Sequence, residues 1–211
     1  MITANQKVMK IRIAMIVIAL FVILIFFALR ARGQQGSGTV QQIAATRIVY
    51  HQEADARRPE LQGAKDSDVK SIDAIMAAVY DVISGPAGDR DWNRFRSLFI
   101  PEARLIPVGV PQGATTARYR VLSPDDYVNR AGGNFKQNGF FENEVSRKQE
   151  QYGHIAHVFS TYESRHAKGE KPFARGINSF SLYYDGQRWY VVQIMWDAEN
   201  PSQPIPEKYL H

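Results

Sequence analysis

The chain has 211 residues, 45% of them hydrophobic, and no cysteine. That apolar content is enough for one domain with a hydrophobic core, and the lack of cysteine excludes disulfides, thiolate metal sites and cysteine nucleophiles. Five of the 26 basic residues and none of the acidic residues lie within residues 1–32, and the 21 basic residues that remain equal the number of acidic residues. Residues 33–211 are therefore formally neutral, which argues against a nucleic-acid-binding domain.

An uncharged, apolar run of 17 residues spans positions 13–29, with basic residues on both sides. It is long for the apolar part of a signal peptide and short for a membrane span, so residues 1–32 are predicted to be either a cleaved signal peptide or a hydrophobic membrane-anchoring helix. A buried core helix is disfavoured because the run has no polar face. The basic residues on its N-terminal side favour a domain outside the cytoplasm, either membrane-anchored or secreted or periplasmic after cleavage. Residues 33–66, rich in Gly, Gln, Ser and then charges, are predicted to be a linker.

Helical spacing predicts a first helix that begins with Ser67 as its N-cap and ends near Ser84, before a Gly-Pro pair. Asp91 is predicted to cap a short second helix, which Pro101 ends. Two strands are predicted over residues 103–108 and 114–122, followed by a third helix with Ser123 as its N-cap. The apolar stripe predicted for the first helix consists of Val69, Ile72, Met76, Val79 and Ile83.

Four long strands are predicted from residue 140 onward: two over 140–151 and 154–165, and then a hairpin over 173–196. Asp185-Gly186 between its two apolar runs is a strong signal for a two-residue turn. Helices grouped early and strands grouped late favour an α+β fold with a curved antiparallel sheet, preceded by the N-terminal hydrophobic helix. The domain is predicted to span residues 67–200, with a C-terminal tail at 201–211.

The two-residue turn also predicts which side chains share a face of the sheet, because side chains alternate along a strand. One face is predicted to combine apolar walls with a few polar groups, which is typical of a ligand pocket; the alternative is that Asn178 and Gln193 bond to each other at a solvated sheet end. The opposite face, with Ile194 and Trp196, is predicted to form a homodimer surface. The predicted pocket face carries Phe180, Leu182, Trp189, Val191, Asn178, Gln193 and Asp197.

Several segments resemble the nuclear transport factor two-like superfamily, also called SnoaL-like. The resemblance covers residues 67–197, with DWNRFRSLFIPEARLI early and DGQRWYVVQIMW at the end. Within the superfamily, the segments GFFENEV, HIAHVFSTYES and GINSF are similar to a group of uncharacterised bacterial exported proteins. The resemblance implies a cone-shaped sheet wrapped by about three helices, an apolar pocket at the wide end, and often a dimer. Members include isomerases, dehydratases, cyclases and epoxide hydrolases, so the fold alone fixes no reaction.

Few residues are obvious candidates for chemistry. His157 and Asp197 are weak candidates for proton transfer, as is a tyrosine such as Tyr119 or Tyr162, and Tyr119 is also expected to bind ligand. Glu142 and Glu144 share a face of their strand and are predicted to be solvated charges. His154 and His157 point to opposite faces of a strand, so no metal site is predicted, and no cofactor-binding motif is present.

We therefore expect an exported or membrane-anchored domain that binds a small apolar ligand or acts as an accessory module, without an assignable reaction. The alternative is an isomerase, dehydratase or hydrolase that uses general acid–base chemistry in the cone pocket. A structural surface protein, with a cone filled by its own side chains, is a third possibility. A carboxylate or histidine with a perturbed pKa in a closed apolar cavity would favour the enzyme.

Overall fold

A computed structural model describes residues 64–211. The predicted leader and nearly all of the predicted linker lie outside the described residues. No helix in the described part of the chain is long and apolar enough to cross a membrane. The helices are α1 (Asp66–Val69), α2 (Ile72–Ile83), α3 (Trp92–Ser97), α4 (Pro124–Gln137) and a C-terminal 3-10 helix (Glu207–Tyr209). The strands are β1 (Phe99–Gly109), β2 (Arg118–Tyr119), β3 (Phe141–Tyr152), β4 (Ile155–Arg165), β5 (Ala174–Tyr184) and β6 (Trp189–Ala198).

All six strands form one curved sheet in the order β2-β1-β6-β5-β4-β3. Every pair is antiparallel except β1 and β6, which run parallel. The α+β class is confirmed, but the sheet is mixed and not wholly antiparallel as predicted. The first strand, β1, lies beside the last strand, β6, although α4 and the strands β3, β4 and β5 separate them in the chain. No hairpin joins β1 to β6, so the two strands are free to run parallel.

The predicted first helix is interrupted after Val69. Ser71, and not Ser67, caps the long helix α2, because its side chain accepts a hydrogen bond from the Ala74 backbone N–H at 3.1 Å. The predicted apolar stripe is confirmed, since all five of its residues are buried. Pro101 does not end α3 but lies within β1, where proline is tolerated because this part of the strand is exposed and irregularly paired.

The start of α4 follows the sequence prediction closely. Ser123 and Asp126 form a capping box, in which each side chain accepts a hydrogen bond from the other residue's backbone N–H, at 3.1 and 3.0 Å. The strand predicted over residues 114–122 is wrong in extent. Only Arg118–Tyr119 and a single bridge from Leu122 to Leu105 pair with β1, because this exposed edge segment buries only one side chain, that of Leu122, between residues 115 and 122.

The β5–β6 hairpin is correctly located, but its predicted register is wrong. Tyr184 pairs with Trp189, so the loop contains four residues. Asp185 organises this loop, because its side chain accepts hydrogen bonds from the backbone N–H groups of Gln187 and Arg188, both at 2.8 Å. Gly186 has φ of 102°, which suits glycine.

A β-bulge in the same hairpin changes the faces of β6. Leu182 pairs with Val191, whereas the preceding residue of β5, Ser181, pairs with Gln193, so Val192 is an extra residue. Beyond this point each β6 side chain is on the face opposite to the predicted one, because side chains alternate with period two. Ile194, predicted for the dimer surface, is instead opposite Phe180 on the buried face.

The buried face of the sheet, called the concave face here, packs against the helices. Along β4 and β5 it is formed by every second residue, as predicted for β5. The other face, called the convex face, is partly covered by the C-terminal tail. Thr161 faces this side but is only 1% exposed, because the tail lies over it and its hydroxyl donates to the Tyr209 carbonyl at 2.6 Å.

Candidate functional site

A cavity of ≈ 250 Å³ lies between the concave face and the helices. Its size suits part or all of a small organic molecule. Most of the wall is aliphatic or aromatic, and a few polar side chains enter the cavity from β3, β4, β5, α2 and α4. The apolar lining consists of Val79, Ile83, Phe95, Leu105, Phe140, Phe173, Ala174, Phe180, Ile194 and Trp196. The polar lining consists of Tyr80, Tyr127, Glu142, Tyr162, Ser164 and Asn178.

Glu142 is the carboxylate of this cavity. The strand register places it opposite Ser164, which is itself opposite Ala174, so the three residues form one row across β3, β4 and β5. The Ser164 hydroxyl donates to Glu142 Oε2 at 2.7 Å. Its backbone is held as well, because the Glu142 N–H donates to the Ser84 hydroxyl at 2.9 Å. Glu142 is therefore held by one hydrogen bond at its carboxyl group and by another at its backbone.

The environment of Glu142 changes its acidity. Burial among apolar groups raises its pKa to about 7, and the hydrogen bonds from Ser164 and Asn178 only partly oppose this. No arginine or lysine forms an ion pair with Glu142 within residues 64–211. Near neutral pH the group is therefore divided between its acid and base forms, which suits proton transfer in both directions.

A hydrogen-bonded chain crosses the middle of the cavity wall. The Asn178 amide donates to the Tyr80 hydroxyl at 3.1 Å, and the Tyr80 and Ser160 hydroxyls are 2.7 Å apart. Ser160 donates its single proton to Glu144, so Tyr80 must be the donor to Ser160. Burial raises the pKa of Tyr80. The Tyr80 proton therefore points away from the cavity.

Glu144 differs from Glu142, although both are on the concave face of β3. Glu144 binds Arg147 at 2.9 Å, and Arg147 continues to the exposed Asp73 at 2.8 Å. Glu144 is thus the end of an ion-paired network that reaches the surface. The prediction that Glu142 and Glu144 are solvated strand charges is wrong, because α2 packs against this part of β3. The alternation of β3 correctly places both carboxylates on one face, but it does not show that this face is buried.

Two tyrosine hydroxyls remain available to a ligand. Tyr127 from α4 and Tyr162 from β4 both line the cavity. Burial raises the pKa of each, and the charge of Glu142 adds to the effect. Neither hydroxyl has a hydrogen-bond partner among the described residues. Each hydroxyl is a protonated hydrogen-bond donor that is close enough to Glu142 for the carboxylate charge to affect its pKa.

The structure brings together only part of the predicted site. Asn178 and Phe180 line the cavity. Trp189 is buried in the core but does not reach the cavity lining. Tyr119 is 74% exposed on β2, at the edge of the sheet, and is not part of the lining. Ligand binding by Asn178 and Phe180 stays a prediction.

Three other candidates lie on the convex face. The β-bulge moves Gln193 and Asp197 there, where they are opposite Ser181 and Ile177. His157 is exposed on the same side, with Nε2 3.0 Å from the Ser179 hydroxyl, because the concave residues of this part of β4 are its even-numbered neighbours. Predicting these three as pocket residues was wrong: the bulge puts Gln193 and Asp197 on the convex face, and His157 follows the regular alternation of β4.

Within residues 64–211 no three His, Cys, Asp or Glu side chains are close enough to hold a metal ion. The lining of the cavity offers hydrogen bonding and proton transfer by the carboxyl group of Glu142 and by the phenols of Tyr127 and Tyr162.

No family model matches the sequence, and no curated protein is similar to it. Solved structures do match the fold. An uncharacterised protein with a cystatin-like fold from Caulobacter vibrioides has a TM-score of 0.47 and 14% identity, over 62% of this chain and 89% of that chain. An NTF2-like protein of unknown function from Silicibacter pomeroyi has a TM-score of 0.41 and 12% identity, over 61% and 92%. Another from Pseudomonas putida has a TM-score of 0.43 and 13% identity, over 62% and 84%.

These structures are described as NTF2-like or cystatin-like. Likenesses at this distance say nothing about function, which must come from the cavity itself.

Proposed function

We propose that this domain binds a small, largely apolar organic molecule in the concave cavity and that Glu142 exchanges a proton with it. The observation that supports this most directly is a carboxyl group with a pKa of about 7 in an apolar cavity. Such groups are typical of general acid–base sites. The reaction class is that of an isomerase, dehydratase or hydrolase.

Each polar group has a separate part in this proposal. Glu142 as a carboxylate takes a proton from the bound molecule and, once protonated, returns one. Tyr127 and Tyr162 donate hydrogen bonds to an oxygen on which negative charge develops, which lowers the energy of that charged state. Ser164 and Asn178 hold the carboxyl group, and the apolar wall excludes water.

Proton exchange with a simple ketone tests the proposal. The full chain is incubated with cyclohexanone in D₂O, and loss of its α-hydrogens is followed by NMR. We expect exchange above the buffer rate, increasing with pH through about 7 as Glu142 ionises. Glu142→Gln should lower the excess rate by about 100-fold or more, since general acid–base groups contribute 10²–10⁴-fold.

The matched control is Glu163→Gln, because Glu163 is on the convex face, paired with Arg165. It should leave the exchange rate unchanged. Excess exchange that survives Glu142→Gln would refute the assignment. The second candidate function, binding without chemistry, is favoured by the mostly apolar wall, and it predicts cyclohexanone binding with no exchange that depends on Glu142.

A further inference from the structure

The cavity has an identifiable mouth. Of its lining residues, only Phe173 is a large apolar side chain with substantial exposure, at 51%. Its ring stacks on His166, with centroids 4.3 Å apart, and contacts Phe140, which is partly buried. The cavity therefore opens to solvent beside Phe173, at the start of β5.

The carboxyl group lies at this mouth. The Phe173 N–H donates to the Ser164 carbonyl at 2.9 Å, and Ser164 is the β4 residue opposite Glu142. Glu142 is itself partly exposed and also borders a polar surface cleft of ≈ 570 Å³ that contains Asn143 and Lys168. Glu142 thus stands between the apolar cavity and the solvated cleft.

The far end of the cavity is apolar. Ala174 and Phe180 both line the cavity, and they are six residues apart along β5, or about 20 Å at 3.3 Å per residue. Phe180 pairs with Ile194. These side chains are almost fully buried, with exposures of 0 to 7%. The residues that complete the apolar end are Phe95 and Leu105.

The polar groups between the two ends are already committed. Asn178 donates to Tyr80, and Tyr80 donates to Ser160, in the chain that ends at Glu144. A ligand hydroxyl or carbonyl placed further in than these hydrogen-bonded side chains would have no hydrogen-bond partner, which is costly in an apolar site. Free hydrogen-bonding capacity is concentrated around Glu142, because the Tyr127 and Tyr162 hydroxyls that remain available both experience its charge.

We propose that the ligand is an amphiphile that binds with its apolar end innermost and its polar head at the Phe173 mouth. The inference rests on the proposed function, because it assumes that the cavity holds a ligand. The head is held by Glu142 and Tyr162, and the rest of it extends into the polar cleft. The substrate class is therefore an aliphatic or alicyclic molecule whose head is attached to a larger hydrophilic group.

Three hexyl probes test this orientation: 1-hexanol, 1,6-hexanediol and n-hexyl β-D-glucoside. Binding to the full chain is followed by NMR on the methyl groups of Ile194 and Leu105, which report the apolar end. We expect hexanol and the hexyl glucoside to shift both signals, with Kd values within about threefold, since the sugar stays outside. Hexanediol should bind about tenfold or more weakly, because its second hydroxyl is buried without a partner.

The outcomes separate the two proposals. Hexanol binding with exclusion of the glucoside, or hexanediol binding as tightly as hexanol, would overturn the orientation but leave cavity binding intact. Failure of hexanol to shift either signal would overturn the proposed function together with this inference.

A variant of the mouth gives an independent test. Phe173→Ala should raise both the association and the dissociation rates of the hexyl glucoside by about fivefold, while the hexanol Kd changes by less than about twofold. The matched control is Phe159→Ala on the convex face, which should change neither rate. Unchanged glucoside rates in Phe173→Ala would show that the head does not pass this residue.

Discussion

Glutamate residues on the two faces of the sheet lie in different environments. On the concave face, Glu142 has no cation beside it, and its pKa is raised to about 7. On the convex face, Glu163 forms an ion pair with Arg165, and Glu199 pairs with Arg175 at 2.9 Å. The helices desolvate the first carboxylate, whereas the others keep both a partner and solvent. Burial without a partner, and not residue type, makes a carboxylate suitable for proton transfer.

The coverings of the two faces also differ. Helices close the concave face, and its residues on β5 are buried from Gly176 to Leu182. Within residues 64–211 the convex face is covered only by the C-terminal tail, which leaves an apolar groove of ≈ 480 Å³ between Phe159 and Ile205. Substitutions on the convex face should therefore cost less stability than matched substitutions on the concave face.

The largest expected effect comes from removing a core aromatic ring. Phe180 is 0% exposed, so Phe180→Ala should lower the free energy of unfolding by about 3–5 kcal/mol through lost burial and a new cavity. Chemical denaturation of the full chain, followed by circular dichroism, measures this. Phe159→Ala, on the half-covered convex face, should cost about 1–2 kcal/mol. Equal losses for the two variants would contradict the difference between the faces.

A smaller effect with a distinct pH dependence is expected at Glu142. Its folded-state pKa of about 7 lies above the ordinary value of 4.5, so the unfolded chain ionises first. Its ionisation therefore lowers stability as pH rises from about 4.5 to about 7, and the loss is complete above that. Glu142→Gln should raise the free energy of unfolding by about 1–3 kcal/mol at pH 8 and change it little at pH 4.

Glu163→Gln provides the opposite sign on the convex face. It removes the partner of Arg165, so at pH 8 it should lower stability, by about 1 kcal/mol or less. Denaturation midpoints of both variants at pH 4 and pH 8 decide the matter. A Glu142→Gln variant that is less stable than the parent at pH 8 would show that the carboxylate is well solvated or paired.

The smallest effect is expected at the C-terminal tail. Thr161→Val removes the hydroxyl that binds the Tyr209 carbonyl but keeps the shape of the side chain. We expect a loss of about 1 kcal/mol and faster amide exchange in residues 207–211, measured by hydrogen–deuterium exchange. Cavity binding of 1-hexanol should not change, since the tail is on the other face.

Local signals in the sequence were enough for much of the fold. The apolar stripe of α2, the capping box at Ser123 and the position of the β5–β6 hairpin each depend on residues within a few positions of one another. The pocket face of β5, with Asn178 and Phe180, also followed from simple alternation. Each of these features has a strong local cause, so each is visible without the rest of the molecule.

The site depended on tertiary structure. The bulge at Val192 arises where β6 lies between β5 and β1. No residue near Val192 in the sequence predicts that it is unpaired. The bulge moved Gln193 and Asp197 out of the pocket and brought Ile194 and Trp196 into it. The prediction that Glu142 is a solvated charge also failed on a tertiary contact, because α2 packs over this part of β3.

By itself, the sequence determined an α+β domain, the N-cap of α4 and the inward face of β5, because propensity and alternation act over short distances. Only the tertiary structure decided which carboxylate is desolvated, where the cavity opens and which side of β6 faces inward. Those properties depend on contacts between segments more than 50 residues apart, such as Ser84 and Glu142 at |i−j| = 58 or Tyr80 and Asn178 at 98. Desolvation and register are set by such contacts and have no signature in a single strand.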